Sequence, residues 1–455
     1  MSILLAGCGH SATAYTGSVD VDPSAPGATV PDDFLGISTE WWLVPLLLDG
    51  DAGATSMQLL RNFADEGHRL GLRVGGNSQD QAWWNPGGAA RPAGVSFDLG
   101  AATLSSLASV SAALGTRLVL GLNLALDDAD NAAELAAAAL AALPDRIDSF
   151  ELGNEPDRYV TTGARPSTYD WSAYLDDRDR FHDAIAARVP GAAFAGPALA
   201  SRAWLPKLVA ALPTETRWSL VTSHVYAYPG CAGSTPPQPL DLLSAHATSE
   251  LAARYAPVAV AAHQSGHRHR MAEMNSVSCG GLAGVSNVYA SALWAVDVAF
   301  ELFAAGLDGV NFHMPGNYAA WDSSVHPLYY GLRLFSLATA RGGRLLPLTV
   351  TSSSRVRAWA TLGSDGQVRV ALLNEDPSSD ETLRMHVPGH THATAIRLSA
   401  PALDATTGLI LGGQSWDDST DGKPTGAWRP EPLDQDGDAL VVRLPALQAV
   451  VVTVP

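Results

Sequence analysis

The chain has 455 residues, of which 47 % are hydrophobic and 16 % are charged, and its formal net charge at pH 7 is −18. This composition is typical of a folded globular protein with a substantial core and excludes a largely disordered chain. The negative charge argues against nucleic acid and anionic membrane surfaces as partners, because both would be repelled at long range.

The first element in chain order is a short apolar run that ends at a cysteine. Leu5–Cys8 resembles the end of a lipoprotein signal, in which a lipid is attached to the cysteine after processing. The run is shorter than the usual 7–15 residues and lacks a preceding charged segment, so chance similarity is the alternative. We expect residues 1–14 to be a signal remnant or a disordered start. The signal interpretation predicts an exported protein, periplasmic, secreted or lipid-anchored at Cys8.

Eight strand-like runs follow, separated by Ala- and Leu-rich helical segments. They are FLGIS at 34–38, LGLRVGG at 70–76, TRLVLGLNL at 116–124, IDSFELGN at 147–154, AAFAGPAL at 192–199, SLVTSHVYAY at 219–228, RMAEMNS at 270–276 and GVNFHMP at 309–315. Strands that alternate with helices indicate parallel βαβ units, and eight such units predict an α/β fold of the closed (β/α)8 TIM barrel type, here over residues 30–335.

Beyond about residue 340 the pattern becomes rich in short strands separated by Gly, Pro, Asp and Ser. This pattern predicts an accessory antiparallel β-sandwich domain made of residues 15–29 and 336–455, to which the early run GSVDVD adds a strand. None of the apolar runs reaches the ~20 residues needed to span a bilayer, so we expect no membrane-spanning segment.

Two glutamates end barrel strands on the face where barrel enzymes place their active sites. Glu155 follows the fourth strand, beside Asn154, and Glu273 lies near the end of the seventh. Retaining glycosidases need such a pair, one carboxyl as acid and base and one as nucleophile. We therefore predict that Glu155 is the acid/base and Glu273 the nucleophile. The alternative is that each glutamate is an ion-paired residue at the barrel rim.

The segments around these glutamates, FELGNEPD and AEMNSVSCGG, resemble the two catalytic segments of glycoside hydrolase family 79, the heparanase and β-glucuronidase family. Further similar segments follow the same order along the barrel: FLGISTEWW, LRVGGNSQD, TSHVYAYPG and MPGNYAAWDSSVHPLYY. The resemblance implies a retaining exo-β-glucuronidase that needs no metal or cofactor. Its substrate would be a glucuronide-containing oligosaccharide or glycoconjugate.

The resemblance also implies binding roles. Asn154 would bind the sugar 2-hydroxyl, and Tyr226, with His224 nearby, would orient the nucleophile. The subsite for the non-reducing sugar would be lined by Glu40, Asn77 and Asp80.

The turn PGNY after the eighth strand would bind the uronic acid carboxylate. Its backbone amides at Gly316 and Asn317 and the hydroxyl of Tyr318 would act together with Gly280 and Gly281. Backbone N–H groups in a tight turn form an anion-binding nest, and glycine permits close approach. The alternative is an ordinary Gly-Asn turn.

Two further groups of residues invite interpretation. Cys231 follows the sixth strand and Cys279 the seventh, so neighbouring loops bring them near each other, and we predict a disulfide, with two free thiols as the alternative. The run His263–Met271 contains three His and two Arg without a Cys or carboxylate to complete a ligand set. We interpret it as a solvated loop and not as a zinc site.

Two alternative functions remain open. An endo-acting, heparanase-like enzyme for heparan-type polysaccharide would need basic surface for sulfate groups, which the net charge does not provide in general. A non-catalytic carbohydrate-binding protein would not need two facing carboxylates.

Overall fold

The structure is a computed structural model that describes residues 14–231 and 235–455. The segment Leu5–Cys8, with the predicted lipid attachment site, lies outside the described residues. Among the residues that are described, no helix has both the length and the apolar character that crossing a bilayer requires.

Eight parallel strands close into a barrel in the order in which the chain runs. Strand β1 (Gly17–Val21) precedes them and belongs to the other domain, while β4 (Ala82–Trp84) and β5 (Phe97–Leu99) form a separate pair. The barrel strands are β2 (Leu35–Glu40), β3 (Gly71–Gly75), β6 (Leu118–Leu122), β7 (Ile147–Leu152), β8 (Phe194–Leu199), β9 (Leu220–Tyr228), β10 (Arg268–Val277) and β11 (Gly309–Met314). Each of the eight predicted runs overlaps one of them, so the predicted TIM barrel is confirmed.

Helices surround the barrel. They are α1 (Val44–Leu48), α2 (Gly50–Arg61), α3 (Ala101–Leu114), α4 (Ala129–Ala142), α5 (Tyr159–Thr162), α6 (Trp171–Arg188), α7 (Leu205–Ala211), α8 (Ser249–Ala253), α9 (Ala256–Gln264), α10 (Tyr289–Ala304) and α11 (Pro327–Ala338). Asp128 and Asp170 begin α4 and α6 by accepting backbone N–H bonds in the first turn, as N-cap residues do. Helix α10 is buried almost all round, which explains why its sequence is apolar on every face.

A β-sandwich follows the barrel. Its strands are β12 (Arg344–Leu346), β13 (Leu348–Ser352), β14 (Val356–Leu362), β15 (Val368–Asn374), β16 (Glu381–His386), β17 (Thr394–Ser399), β18 (Ile410–Leu411), β19 (Gln414–Ser415), β20 (Thr425–Gly426), β21 (Glu431–Pro432), β22 (Asp434–Asp436), β23 (Ala439–Leu444) and β24 (Ala449–Val454). One sheet has nine strands, and the other has the order β13-β1-β16-β23-β22.

Strand β1 lies inside the smaller sheet. It pairs antiparallel with β13 and parallel with β16, and its residues Val19 and Val21 pack in the same core as Leu383 and Met385. The strand predicted from GSVDVD is therefore present, although one of its pairings is parallel, unlike the predicted antiparallel pattern. The reason is that β1 comes from the far end of the chain, so no hairpin fixes its direction.

The barrel and the sandwich meet at α10. The rings of Phe300 on α10 and Trp359 on β14 stack with centroids 4.8 Å apart. Beside this stack, Asp297 of α10 is buried close to Glu375, which follows β15, and Arg357 lies 3.4 Å from Asp297. Burial is the largest cause that raises the pKa of both carboxyl groups. The domain interface therefore holds two carboxyls that favour the protonated form.

The run His263–Met271 differs from the predicted solvated loop. His263 lies in α9, while His269 and Arg270 are buried in β10. His269 Nε2 lies 3.1 Å from the Ser223 hydroxyl, and Arg270 donates to Asn311 at 2.5 Å. The interpretation was wrong for these two residues because a charge cluster in sequence does not reveal which side chains a strand turns inward.

Candidate active site

Glu155 follows the fourth barrel strand, β7, in a turn with unusual backbone angles. Its φ of 53° and ψ of 54° are left-handed, a conformation that costs a non-glycine residue roughly 1–3 kcal/mol. Asp80 holds the turn, because its carboxylate accepts from the Asn154 backbone N–H at 3.0 Å and from the Tyr159 hydroxyl at 2.7 Å. Gly153, at φ 77°, has no room for a side chain, since a Cβ would lie 2.5 Å from the Tyr159 hydroxyl. The backbone is thus fixed so that the Glu155 side chain faces the barrel mouth.

Glu273 lies on the seventh barrel strand, β10, and is almost fully buried. Its Oε1 accepts from the Tyr226 hydroxyl at 2.7 Å, and its Oε2 accepts from Arg73 Nη1 at 2.7 Å. Each carboxylate oxygen is therefore held by one short, strong hydrogen bond. Tyr226 thus contacts Glu273, as expected of a residue predicted to orient the nucleophile.

The charges around Glu273 favour its ionised form. Burial alone would raise the pKa of its carboxyl, but the positive charges of His313, His224 and Arg73 outweigh burial and hold that pKa well below its usual value. Burial would likewise lower the pKa of His224, whereas Glu273 and the contact with Glu155 raise it above its usual value. The result is an ionised carboxylate next to a histidine that tends to keep a proton.

The two glutamates face each other across His224. His224 Nδ1 lies 3.3 Å from Glu155 Oε1 and 4.0 Å from Glu273 Oε2, and one oxygen of each glutamate lies within 4.8 Å of the other. Retaining glycosidases hold their carboxyl groups about 5–5.5 Å apart and inverting ones about 6.5–9.5 Å apart. The short separation therefore fits the retaining class.

The same three side chains, Glu155, His224 and Glu273, could ligate a divalent cation. However, Arg73 already donates to Glu273, and a metal ion at that oxygen would face the repulsion of a buried guanidinium. The donor set therefore fits a catalytic carboxyl pair better than it fits a metal centre.

Arg73 connects the parts of the site. It lies on β3 with no exposed surface, and it binds Glu151 of β7 through Nε at 2.8 Å and Nη2 at 2.6 Å. The same guanidinium donates to Asn154 Oδ1 at 3.0 Å and to the Ser38 hydroxyl at 3.1 Å. Because Asn154 also donates to Asn77 at 3.2 Å, its amide is oriented on both sides. Asn154 and Asn77, both predicted to bind substrate, thus lie together beside the two glutamates.

Glu40 ends the first barrel strand, β2, on the other side of the site. Its carboxylate accepts from the backbone N–H groups of Ser78 at 2.8 Å and Asn77 at 3.3 Å. His313 of β11 lies between the two carboxylates, with Nε2 3.5 Å from Glu40 and Nδ1 3.8 Å from Glu273. Glu40 therefore belongs to the same buried polar cluster as the predicted nucleophile.

Two loops build the predicted carboxylate site. Gly280 accepts the Asn317 backbone N–H at 2.7 Å, and a Cβ on Gly281 would lie 2.9 Å from the Tyr318 backbone nitrogen. Asn275 of β10 donates to the Tyr318 carbonyl at 3.1 Å, which ties the turn after β11 to the nucleophile strand. The predicted turn residues, including the exposed Gly316, therefore pack directly against the glycines that follow the nucleophile.

The Tyr318 ring lies beside Tyr226, which contacts Glu273. Its hydroxyl lies 3.5 Å from that of Tyr226, and the two ring centroids are 5.8 Å apart. Burial, as the largest cause, raises the Tyr318 pKa well above its usual value, so the hydroxyl keeps its proton. It is thus a neutral hydroxyl beside Tyr226, which itself donates to Glu273.

A disulfide joins the loops after the sixth and seventh strands. Cys231 is bonded to Cys279, with Cα atoms 5.5 Å apart, and Gly230 donates to the Ser278 hydroxyl at 2.9 Å. Cys279 has a φ of 59°, Gly280 of 85° and Gly281 of 80°. Cys279 of the disulfide is thus the first of three consecutive left-handed residues, and the other two are the glycines of the predicted carboxylate site.

Asp80, predicted to contact substrate, lines the cavity beside Glu155 and also makes several bonds to the protein. Besides the bonds that hold the Glu155 turn, its other oxygen faces the backbone N–H groups of Leu124 at 3.2 Å and Ala125 at 3.4 Å. Burial raises its pKa to about 6 despite these donors. Its carboxylate is engaged by protein groups, and we assign it to supporting the turn.

Three residues of the site were not predicted from the sequence: Arg73, Glu151 and His313. Each is a charged or titratable residue in the middle of an apolar strand run, LRVGG, SFELG or NFHMP. Such a residue in a barrel strand either faces outward or needs a buried partner, and this signal could have identified all three.

Comparison with known proteins shows which glycosidases the chain resembles. Residues 358–451 match the model described as glycosyl hydrolase family 79 C-terminal beta domain. A curated relative, a beta-glucuronidase of Aspergillus niger, is 26 % identical in a match that covers 92 % of this chain and 92 % of the relative. The sandwich thus matches the C-terminal domain of glycoside hydrolase family 79, and the chain over most of its length is similar to a beta-glucuronidase. The resemblance seen in the sequence motifs is thereby confirmed, and so is the expectation of a glycoside hydrolase.

Several solved structures share the fold of this chain. A 4-O-alpha-L-rhamnosyl-beta-D-glucuronidase from Fusarium oxysporum superimposes with a TM-score of 0.82 at 21 % identity, covering 95 % of this chain and 98 % of that one. A family 51 arabinofuranosidase from Xanthomonas axonopodis pv. citri gives a TM-score of 0.69 at 17 % identity, covering 96 % and 99 %. Barrel and sandwich are therefore an arrangement common to several glycosidases.

Proposed function

We propose that this protein is a retaining exo-β-glucuronidase, which removes terminal β-linked glucuronic acid from an oligosaccharide or glycoconjugate. The observation that carries the proposal is the short separation of Glu155 and Glu273, with an oxygen of each within 4.8 Å of the other. Its sugar specificity is supported by the beta-glucuronidase name of the Aspergillus niger relative.

The geometry gives each glutamate a separate step. Ionised Glu273 attacks the anomeric carbon while protonated Glu155 donates its proton to the glycosidic oxygen, so that the leaving group departs neutral and the sugar remains on Glu273 as an ester. Glu155, now a carboxylate, then takes a proton from water, and the resulting attack on the anomeric carbon releases Glu273. Asn154 is oriented by Arg73 to bind the 2-hydroxyl, where a hydrogen bond strengthens in the transition state.

Selectivity for a uronic acid is assigned to the turn after β11. The backbone N–H of Asn317, predicted to bind the carboxylate, already donates to the Gly280 carbonyl, so the assignment rests mainly on the Tyr318 hydroxyl. This neutral donor can bind a carboxylate without adding a positive charge close to Glu273. This matters because a further cation there would compete with Arg73 for Glu273. The exposed Gly316 and Asn317 leave this turn accessible to substrate.

Covalent trapping tests the assignment of the nucleophile. A β-glucuronide with fluorine at C2 and an activated leaving group should leave an adduct on Glu273, located by peptide mass analysis. Glu155→Ala should hydrolyse poor leaving groups far more slowly than good ones, and added azide should restore turnover with a β-glycosyl azide as product. An adduct on another residue, or an equal loss for all leaving groups, contradicts these roles.

Removing one hydroxyl tests the uronate assignment. Tyr318→Phe should lower kcat/KM for a β-glucuronide about tenfold or more, because a hydrogen bond to a charged group contributes roughly 1.5–3 kcal/mol. The matching β-glucoside carries no carboxylate, so its slower hydrolysis should change much less. Equal losses for both substrates, or a parent enzyme that prefers the glucoside, would show that the turn does not select a uronate.

Product analysis separates exo from endo action. An exo enzyme should release monosaccharide from the chain end and leave the size distribution of digested heparan sulfate nearly unchanged, whereas endo cleavage shortens the chains at once.

We also propose that the protein is exported. The disulfide supports this location, because such bonds form and persist in oxidising compartments. Cell fractionation with a Cys8→Ser variant tests whether a lipid at Cys8 retains the protein on a membrane.

A further inference from the structure

A cavity of about 570 Å³ opens beside Glu155. This volume lies within the range of roughly 300–1000 Å³ that small-molecule sites occupy. Glu155 and Asn154 line it, whereas Glu273 and Tyr318 do not. Its walls come from the loops after β3, β6 and β7, including Gln81, Gly94, Ala125, Leu126 and Thr162. The cavity therefore extends from the acid and not from the nucleophile.

The position of a cavity relative to the two glutamates decides which part of a substrate it can hold. The sugar that becomes covalently bound must lie against Glu273, and Glu155 must reach the glycosidic oxygen. That oxygen departs with the leaving group. Asn154, which we assign to the 2-hydroxyl of the bound sugar, also lines the cavity, so the cavity adjoins that sugar. Because it borders Glu155 but not Glu273, the remaining space is suited to the leaving group.

Arg158 brings a positive charge to this cavity. It is the one cationic residue among the cavity-lining residues that the structure describes, and its side chain is 50 % exposed. Its Nε lies 3.7 Å from Glu155 Oε2, which is an ion pair but too long for a hydrogen bond. Its guanidinium can therefore form a hydrogen-bonded pair with an oxyanion in the cavity.

The neighbouring charges are already engaged by protein groups. Asp80 also lines the cavity, but its oxygens face backbone N–H groups and the Tyr159 hydroxyl. Arg165, on the next loop, is only 11 % exposed and is bonded to Asp177 and to the Leu124 carbonyl. Arg158 thus differs from its neighbours in facing the open space.

Catalysis itself removes the counter-ion of Arg158. Glu155 must carry a proton before it can act as an acid, and a protonated Glu155 no longer neutralises the guanidinium 3.7 Å away. An oxyanion on the leaving group would restore that balance in the complex that reacts.

Building on the function proposed above, we infer that this cavity binds the leaving group and that Arg158 selects leaving groups with a carboxylate or sulfate near the glycosidic oxygen. The natural substrate is then a glucuronide attached to an acidic sugar or another anionic group. This preference for anions comes from Arg158 and not from the overall charge, since the chain as a whole is strongly negative.

Three aryl β-glucuronides test this inference. Their phenols have matched pKa values and carry a carboxylate, a sulfonate or a neutral carboxamide beside the phenolic oxygen, so that charge is the variable. For at least one of the two anions, the parent enzyme should show a kcat/KM about tenfold higher than for the carboxamide. In Arg158→Gln this ratio should fall to about one, and Arg158→Lys should keep part of it because the charge remains.

Arg188→Gln is the matched control, since it removes an equally exposed arginine on the outer helix α6, 3.4 Å from Glu134. It should leave the ratio unchanged. A parent ratio near one for both anions, or a ratio that survives Arg158→Gln, overturns the inference while the hydrolysis of the glucuronides still stands. If none of the three glucuronides is hydrolysed, the proposed glucuronidase function fails instead.

Discussion

Arg73 is the residue on which the arrangement of the site depends. It is fully buried and makes ion pairs with both Glu151 and Glu273. A buried charge is tolerated only when its partners are present, because desolvation is costly. Arg73 therefore both orients the nucleophile and neutralises a second carboxylate that has no exposed surface.

Substitution of Arg73 should lower stability and activity together. Arg73→Gln leaves Glu151 as an unpaired buried charge, and removing one partner of such a pair costs about 3–5 kcal/mol. Chemical denaturation should show this loss in the free energy of unfolding. The double variant Arg73→Gln/Glu151→Gln should recover a large part of the stability but not of kcat, since the nucleophile still lacks its guanidinium. A double variant no more stable than the single one would contradict this account.

At the scale of elements, the loop after β10 combines a disulfide with three left-handed residues. Cys279 is anchored to the neighbouring loop, and Gly280 and Gly281 then pack against the turn after β11. The anchor fixes the conformation of backbone groups that we assign to the sugar carboxylate. A covalent bond at the rim thus acts on substrate selectivity as well as on stability.

Removal of the disulfide should therefore affect glucuronides selectively. In Cys231→Ser/Cys279→Ser, kcat/KM for a β-glucuronide should fall between about 10- and 100-fold, because small displacements of binding groups are costly. A β-glucoside should be affected much less. Reduction of the parent enzyme with dithiothreitol should reproduce the effect, whereas the double variant should not respond to it. A parallel loss on both substrates would indicate general damage to the site.

Secondary-structure elements could be predicted from the sequence, whereas contacts between distant elements could not. Alternation of strands and helices predicted the barrel, and strand ends predicted Glu155 and Glu273, because both signals are local. The pairing of Arg73 with Glu273 joins residues separated by 200 positions and exists only once the barrel closes. Asp80 was predicted to contact substrate because the sequence places its loop at the site. Its hydrogen-bond donors, such as Tyr159, are distant in the sequence and could not be predicted.

At the scale of the whole molecule, the two domains share a buried acidic pair. Asp297 on α10 and Glu375 beyond β15 face each other, and Arg355, Arg357 and Glu301 surround them. Burial, followed by the charge of Asp297, raises the pKa of Glu375 above its usual value. The folded protein therefore keeps a proton that the unfolded chain releases above the ordinary pKa of a glutamate.

This proton makes stability depend on pH. Where the native state binds more protons than the unfolded state, the free energy of unfolding falls as pH rises, by about 1.4 kcal/mol for each unit of difference in pKa. We expect this decline to begin near the unfolded pKa of Glu375 and to continue up to its raised native pKa. Glu375→Gln should remove much of the decline, as measured by thermal unfolding from pH 5 to pH 9. A variant with the same slope as the parent would exclude the pair as its source.

The position of β1 has a consequence for how the protein is made. β1 leaves the ribosome before every barrel strand, yet its antiparallel partner Leu348–Ser352 follows roughly 330 residues later. At about 5–20 residues per second, the strand stays unpaired for tens of seconds while the whole barrel is synthesised. An edge with free N–H and C=O groups is open to other chains during that time. Its sequence GSVDVD carries two aspartates, and charged side chains on an exposed strand oppose its pairing with other chains.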